Sequence, residues 1–157
     1  KASQFVDSLA EEFRMLNAVV GKSLIPIEEE LSLCRAHLSI MEFRKNAQFR
    51  FEVEGVQGHE RVPPAIFHTL IENGITHGYG QKRAGFFHLK KSELANGCRY
   101  HLFNDSELDP AALVAEGNGT GYKYLEARLQ ENYGDQWAIQ KGVVDKGWEV
   151  VISIFND

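Results

Sequence analysis

The sequence has little cysteine, no long apolar run and no excess of positive charge. Its two cysteines, Cys34 and Cys98, are too few for a disulfide scaffold and do not form a zinc-binding pattern, so both are expected to be reduced thiols. No segment reaches the roughly 18 consecutive apolar residues of a membrane-spanning helix. The formal net charge is -5 with acids and bases interspersed, which argues against nucleic acid as a partner.

What is present is the composition of one globular domain. The chain has 157 residues, of which 43% are hydrophobic and 25% charged, so it is long enough to bury a core of its own. It begins at Lys1 without a methionine or a signal peptide, and we therefore expect it to be a piece of a longer protein.

Apolar residues three and four positions apart predict four helices, at 3–20, 27–43, 63–77 and 121–133. The first two are separated at Ile25-Pro26, because the residue before a proline avoids the helical conformation. Pro63 and Pro64 suit the first turn of the third helix, where a missing N–H costs nothing.

Alternation of apolar and polar residues predicts five strands. They lie at 48–54, 85–91, 98–103, 137–143 and 148–154. Asn96-Gly97 between the second and third strands is a strong hairpin signal, and a second turn is predicted at 145–147. Antiparallel strands that cluster between helices predict an α+β sandwich, with helices on one face of a mixed, mostly antiparallel sheet.

Glu72, Asn73 and Gly74 break the rules of the helix in which they lie. Asn and Gly are poor helix formers, yet they stand in the middle of the predicted 63–77 helix. Glu72, Asn73 and His77 fall on one side of it, where a carboxylate, an amide and an imidazole could hold a metal ion and a polyanion. Spacing alone equally allows a turn at Asn73-Gly74 or a merely solvated face.

Glycine occupies every other position from Gly117 to Gly121, immediately before the fourth helix. Such a segment can bring backbone N–H groups to a phosphate at a helix N-terminus, or can simply be a flexible loop. It matches neither the dinucleotide fingerprint nor the P-loop. Asn104-Asp105-Ser106, at the end of a strand, can form a turn or read the edge of a base.

The histidines show no pattern that predicts a zinc site. His37 lies on a helix patterned for packing and is expected in the core or at its rim. The remaining candidates have no partner at i+4 and no adjacent carboxylate motif; these are His59, His68, His88 and His101.

Taken in order, several segments carry a specific resemblance. They are Val62-Pro63-Pro64, Glu72–Gly78, Asn104-Asp105, Gly117–Gly121 and Arg128-Leu129, preceded by Ile27–Leu31 and Ile40–Arg44. Together they resemble the ATP-binding domain of LytS-like sensor histidine kinases, within the Bergerat-fold or GHKL ATPase superfamily. The resemblance implies that 1–43 is the end of a helical dimerisation and linker region and that 44–157 is the ATP-binding catalytic domain.

The resemblance also implies roles for individual residues. Asn73 would bind the Mg²⁺ that bridges the ATP phosphates, Glu72 would act as the general base beside the γ-phosphate, and His77 would line the phosphate end. Asn104 would occupy the adenine-reading position. The lid hinge and its phosphate-binding amides would come from Gly117, Gly119, Thr120 and Gly121.

Departures from the family pattern concern the nucleotide. Asn104 stands where the family usually has aspartate, Thr76 where it often has lysine, and Tyr122 and Tyr124 where leucine and asparagine are usual. The loss of charge at 104 weakens a hydrogen bond from the adenine amine. These departures leave open a degenerate GHKL module that keeps the fold for interaction alone.

The family's phosphoacceptor motif, of the Asn-Pro-His-Phe type, is absent from the sequence, and His37 does not match it. The resemblance therefore implies a catalytic fragment that phosphorylates a histidine on a helix of its parent, which is a homodimer working with a response regulator. That parent is expected in the bacterial inner membrane, with this domain cytoplasmic and out of direct contact with the membrane. A standalone anti-sigma-type kinase is the other alternative, against which the helical seam at 27–41 counts.

Overall fold

The computed structural model describes residues 2–79, 82–106 and 120–156, and the statements below concern those residues. The helices are α1 (Ala2–Val19), α2 (Ile27–Lys45), α3 (Ile66–Gly78) and α4 (Thr120–Tyr133). The strands are β1 (Ile25–Pro26), β2 (Gln48–Glu54), β3 (Arg61–Val62), β4 (Ala84–Leu94), β5 (Gly97–Asn104), β6 (Trp137–Val144) and β7 (Gly147–Phe155). None of the helices in these ranges is long and apolar enough to cross a membrane.

Five strands form one mixed sheet in the order β2-β4-β5-β7-β6. β2 runs parallel to β4, and the other neighbours are antiparallel. Along β4, Phe87 and Leu89 are fully buried, whereas Phe86 and His88, which alternate with them, are only half-buried. One face of the sheet therefore packs on the helices, and the predicted α+β architecture is confirmed.

β1 and β3 form a short ribbon that sequence periodicity did not predict. Ile25 pairs with Val62 and Pro26 with Arg61, so the start of α2 lies beside the segment that enters α3. Two-residue strands carry no alternation, which is why this pairing leaves no signal in the sequence.

Helix α3 begins at Ile66, three residues later than the prolines predicted. Ala65 adopts the left-handed conformation with φ of 66°, which ends the extended segment and precedes the first helical turn. The amides that open the helix are bound by Glu30 of α2. Its carboxylate accepts hydrogen bonds from the backbone N–H of Ala65 at 2.6 Å, Phe67 at 2.9 Å and His68 at 3.0 Å.

The predicted first helix is confirmed as α1. Most of the apolar residues that predicted it do not face the core. Val6, Leu9, Phe13 and Val20 are exposed, with 60%, 41%, 66% and 71% of their surface accessible. The inner side of α1 buries Val19, with Met15 and Leu16 packed against the core, and it also buries Glu12, whose carboxylate finds polar partners there.

We expect Glu30→Ala to destabilise the domain by roughly 3 kcal/mol, because three amide donors at the start of α3 lose their acceptor. Chemical denaturation followed by circular dichroism measures this. Glu29→Ala is the matched control, since Glu29 is exposed on the same helical turn. Equal stability of the two variants would contradict the capping role.

Glu60 generates a prediction about pH. Its carboxylate accepts from Lys91 Nζ at 3.0 Å and from the backbone N–H of Gln57 at 2.9 Å and Gly58 at 2.7 Å. Burial by itself raises the pKa of Glu60, but these donors outweigh burial and lower it to about 2. The folded pKa lies below the ordinary 4.5, so the stabilisation is complete above pH 4.5 and is lost as the pH falls towards 2.

We therefore expect Glu60→Gln to be roughly 2 kcal/mol less stable than wild type at neutral pH, and this difference to shrink between about pH 5 and pH 2. Urea denaturation at a series of pH values measures it. The exposed Glu126→Gln should track the wild type throughout. A difference that stays constant with pH would show that Glu60 is not the titrating group.

Candidate functional site

Helix α3 carries the acidic and amide residues that the sequence singled out. Glu72 is exposed and Asn73 is half-buried, so they face different surroundings although they are neighbours. Asn73 Nδ2 is buried without a hydrogen-bond partner among the described residues. His77 lies in the last turn of α3, and its side chain is outside the described part of the structure.

Gly74 explains why a poor helix former stands in the middle of α3. A Cβ built on Gly74 would lie 3.1 Å from Phe87 Cε1 of β4 and 3.5 Å from Asn104 Nδ2 of β5. A glycine thus lets the helix backbone approach the sheet at the end of β5. The close approach brings the Asn73-Gly74 backbone next to Asn104, which is 31 positions further along the sequence than Asn73.

Asn104 is buried, with 1% of its surface accessible, and its side chain is oriented by the next turn. Its Oδ1 accepts hydrogen bonds from the backbone N–H of Ser106 at 3.2 Å and from the Ser106 hydroxyl. A carbonyl oxygen has two lone pairs, so these donors use its acceptor capacity. Asn104 Nδ2 remains buried without a partner among the described residues.

Two buried amide nitrogens, on Asn73 and Asn104, thus flank the point where α3 meets β5. Leaving such donors unpaired costs roughly 1–3 kcal/mol each. Within the described ranges no protein group meets this need, and a polar ligand with acceptor atoms at this position would meet it. The junction of α3 and β5 is therefore a candidate binding site.

Asp105 has a different role from its neighbours at the end of β5. Its Oδ1 accepts from the Tyr79 hydroxyl at 2.6 Å and from the backbone N–H of Phe86 at 2.9 Å. Burial and the Asp105 carboxylate both raise the pKa of Tyr79, which keeps the phenol protonated as a donor. Asp105 therefore anchors the end of β5 to β4 and to the end of α3.

The start of α4 is fixed to the segment that enters α3. The Tyr124 hydroxyl donates to the backbone carbonyl of Pro64 at 2.7 Å. The predicted helix after the glycines is confirmed, and Thr120 and Gly121 lie in its first turn. Their side-chain surroundings, and all of Gly117 and Gly119, fall outside the described residues.

Glu72 faces a cleft between the end of α1, the start of α3 and the first turns of α4. This cleft has a volume of about 320 Å³, and Thr69, Glu72 and Tyr124 contribute to its lining. An exposed carboxylate beside an open cleft can be reached by a group from another molecule or segment. Glu72 thus faces the solvent-exposed side of α3, whereas Asn73 faces its buried side.

Comparison with known proteins finds similarity to bacterial sensor proteins. The chain is 32% identical over 153 residues to the sensor protein LytS of Enterococcus faecalis, an alignment that covers 87% of this chain and 25% of LytS. It is 26% identical over 147 residues to the sensor histidine kinase BtsS of Escherichia coli, covering 88% of this chain and 25% of BtsS. The resemblance to LytS-like sensor histidine kinases is confirmed over most of this chain. The chain spans about a quarter of the length of these relatives.

Solved structures show the same fold as this chain. The histidine kinase AdeS of Acinetobacter baumannii superposes with a TM-score of 0.64 at 12% identity, over 99% of this chain and 80% of that one. The histidine kinase ThkA, in complex with the response regulator protein TrrA, superposes with a TM-score of 0.57 at 13% identity, over 97% of this chain and 49% of that one. No protein-family model matches the chain.

Sequence reasoning missed the contribution of two residues to the candidate site. Glu30, which sequence analysis did not single out, binds the amides that open α3. Ser106, predicted only as part of a turn, occupies the acceptor of Asn104. The role of Glu30 has no sequence signal because its partners are 35 or more positions away, whereas the Ser106 contact is the local hydrogen bond of the predicted turn.

Proposed function

We propose that this chain binds ATP with Mg²⁺ and transfers the γ-phosphoryl group to a histidine outside the chain. The observation that carries the proposal is the pair of unpartnered buried amides, Asn73 and Asn104, at the junction of α3 and β5. The similarity to LytS and BtsS supports the same activity.

Asn73 fits the role of metal ligand. Mg²⁺ prefers oxygen ligands and takes much of its shell from water and substrate phosphates, so one amide oxygen suffices. When bound, the ion would neutralise charge on the phosphates. The half-buried position of Asn73 holds the amide beside the sheet, while its Nδ2 is free to donate to a ligand oxygen.

Glu72 is proposed as the catalytic carboxylate. It is exposed at the cleft between α1, α3 and α4, so an incoming imidazole can reach it and lose a proton to it as the phosphoryl group is accepted. Most of the remaining catalysis would be positioning and charge neutralisation. His77, Gly117, Gly119, Thr120 and Gly121 are proposed to line the phosphates, on the resemblance alone.

We further propose that 1–43 is the end of a dimerisation and linker region and that 44–157 is the catalytic domain. The exposed residues Val6, Leu9, Phe13 and Val20 of the α1 region recur at three-, four- and seven-residue spacing. That is the spacing of a helix-packing seam, and its exposure suits a second helix of a homodimeric parent.

The other partners are proposed from the relatives. A phosphoacceptor helix of the parent would supply the histidine, and a response regulator would receive the phosphoryl group, as the ThkA–TrrA complex supports. We place the domain in the cytoplasm of a parent anchored in the bacterial inner membrane, with no direct membrane contact and no nucleic-acid partner of its own.

A degenerate module without catalysis is the second candidate, favoured by one observation. Asn104 Oδ1, the acceptor expected to meet the adenine amine, is taken by Ser106, and only the Nδ2 donor remains open. A donor can meet a ring nitrogen of adenine but not its amine. The strength of ATP binding therefore separates the two candidates.

The first experiment is isothermal titration of ATP into the chain with and without Mg²⁺. We expect saturable binding that needs Mg²⁺, and we expect Asn73→Ala to lose the Mg²⁺-dependent part because it removes the ligand oxygen. Asn156→Ala, the same truncation at an exposed position, is the control. Undiminished affinity in a folded Asn73→Ala variant would remove Asn73 as the ligand, and no binding by the wild type would favour the degenerate module.

Asn104→Asp should tighten ATP binding roughly tenfold, or about 1.4 kcal/mol. One carboxylate oxygen would keep the Ser106 donors, and the other would offer a charged acceptor where the amide now offers a donor. The same titration measures it. Asn156→Asp makes the same charge change at an exposed position and should leave the affinity unchanged. Weaker binding by Asn104→Asp would show that the base is read through the Nδ2 donor.

A further inference from the structure

Three helices place one side chain each at a single buried point. Glu12 comes from α1, His37 from α2 and His68 from α3, and all are buried. Glu12 Oε1 lies 2.8 Å from His37 Nδ1 and 2.9 Å from His68 Nε2, and the two rings meet edge to face with centroids 4.8 Å apart. We call these residues the Glu–His–His cluster.

No spacing pattern in the sequence predicts this cluster. His37 is 25 positions from Glu12 and His68 is 56, so no helical or zinc-type spacing connects them. The expectation that the histidines form no zinc site rested on sequence spacing. Tertiary packing brings together ligands that such spacing cannot detect.

The cluster has the geometry of a metal site. The three ligand atoms all lie within 4.8 Å of one another. Zinc binds histidine nitrogen and carboxylate oxygen at about 2.0–2.2 Å, which puts tetrahedral ligand atoms roughly 3.3 Å apart. The observed contacts of 2.8 and 2.9 Å would therefore open by only a few tenths of an ångström around an ion.

The ligand types of the cluster also suit a cation. One carboxylate oxygen of Glu12 accepts from both imidazoles, so an oxygen and two ring nitrogens already converge on one buried point. The Glu30 carboxyl group accepts the backbone N–H of His68 at 3.0 Å and fixes the start of α3 beside the cluster. His37 Nε2 is buried without a partner among the described residues, so the hydrogen bonds within the cluster do not satisfy this ring.

We propose that the Glu–His–His cluster binds one divalent transition-metal ion of the Zn²⁺ type, with water as its fourth ligand. Two imidazoles and one carboxylate are a ligand set typical of such ions. The ion would join α1 to α2 and α3. Its ligand on α3, His68, lies one helical turn before Glu72, so the ion would set the position of α1 relative to that turn. The proposal does not depend on ATP binding or on kinase activity.

The test is calorimetric titration of Zn²⁺ into the chelator-treated 157-residue chain, in the absence of nucleotide. We expect one Zn²⁺ per chain at micromolar concentration, a higher melting temperature with Zn²⁺ than with EDTA, and Co²⁺ absorption typical of four-coordinate nitrogen and oxygen ligands. Glu12→Gln, His37→Gln and His68→Gln should each weaken Zn²⁺ binding at least tenfold. The exposed His59→Gln is the matched control and should bind as the wild type does.

Two results would overturn the proposal. If the folded wild type does not bind Zn²⁺ or Co²⁺ saturably, the cluster is a hydrogen-bonded network only, and this result needs no variant. If binding survives in the folded Glu12, His37 and His68 variants, the ion sits elsewhere. Where a variant fails to fold, the Co²⁺ spectrum of the wild type decides, because octahedral coordination by water and carboxylates would contradict the predicted ligand set.

Discussion

The Glu30 carboxylate is the interaction on which the arrangement of this domain depends. It is fully buried in α2 and accepts three backbone amides from the start of α3, 35 or more positions further along the chain. A buried carboxyl group is tolerated only where hydrogen bonds compensate for lost water, so this contact specifies one relative position of the two helices. The position of Glu72 and Asn73 follows from it, since both lie on α3.

The second constraint is the close approach of α3 to the sheet. Glycine is a poor helix former, but because Gly74 has no side chain the helix backbone can lie against Phe87 and Asn104. Asp105 holds the end of β5 in place from the other side through Tyr79 and the backbone of β4. A residue that is unfavourable for the helix thus stands at the proposed ligand-binding surface, as is typical of functional sites.

Helix α1 is bound to the rest of the domain by apolar and polar contacts together. Val19 is buried in the core, Met15 and Leu16 pack against it, and Glu12 meets His37 and His68. The exposed apolar stripe of the α1 region lies outside these contacts, and it is the surface that we propose a second helix of the parent to cover.

The periodicity of apolar residues was sufficient to predict the helices, the strands of the sheet and the α+β class. Burial of one face imposes an apolar repeat of about 3.6 residues on a helix and 2 residues on a strand. Motif order was sufficient for the kinase family and for the candidate residues Glu72, Asn73 and Asn104. The later start of α3, the occupied acceptor of Asn104 and the Glu–His–His cluster were decided only by tertiary structure. Apart from the local Ser106 contact at Asn104, these features join residues 25 to 56 positions apart, and contacts between distant residues leave no periodic signal in the sequence.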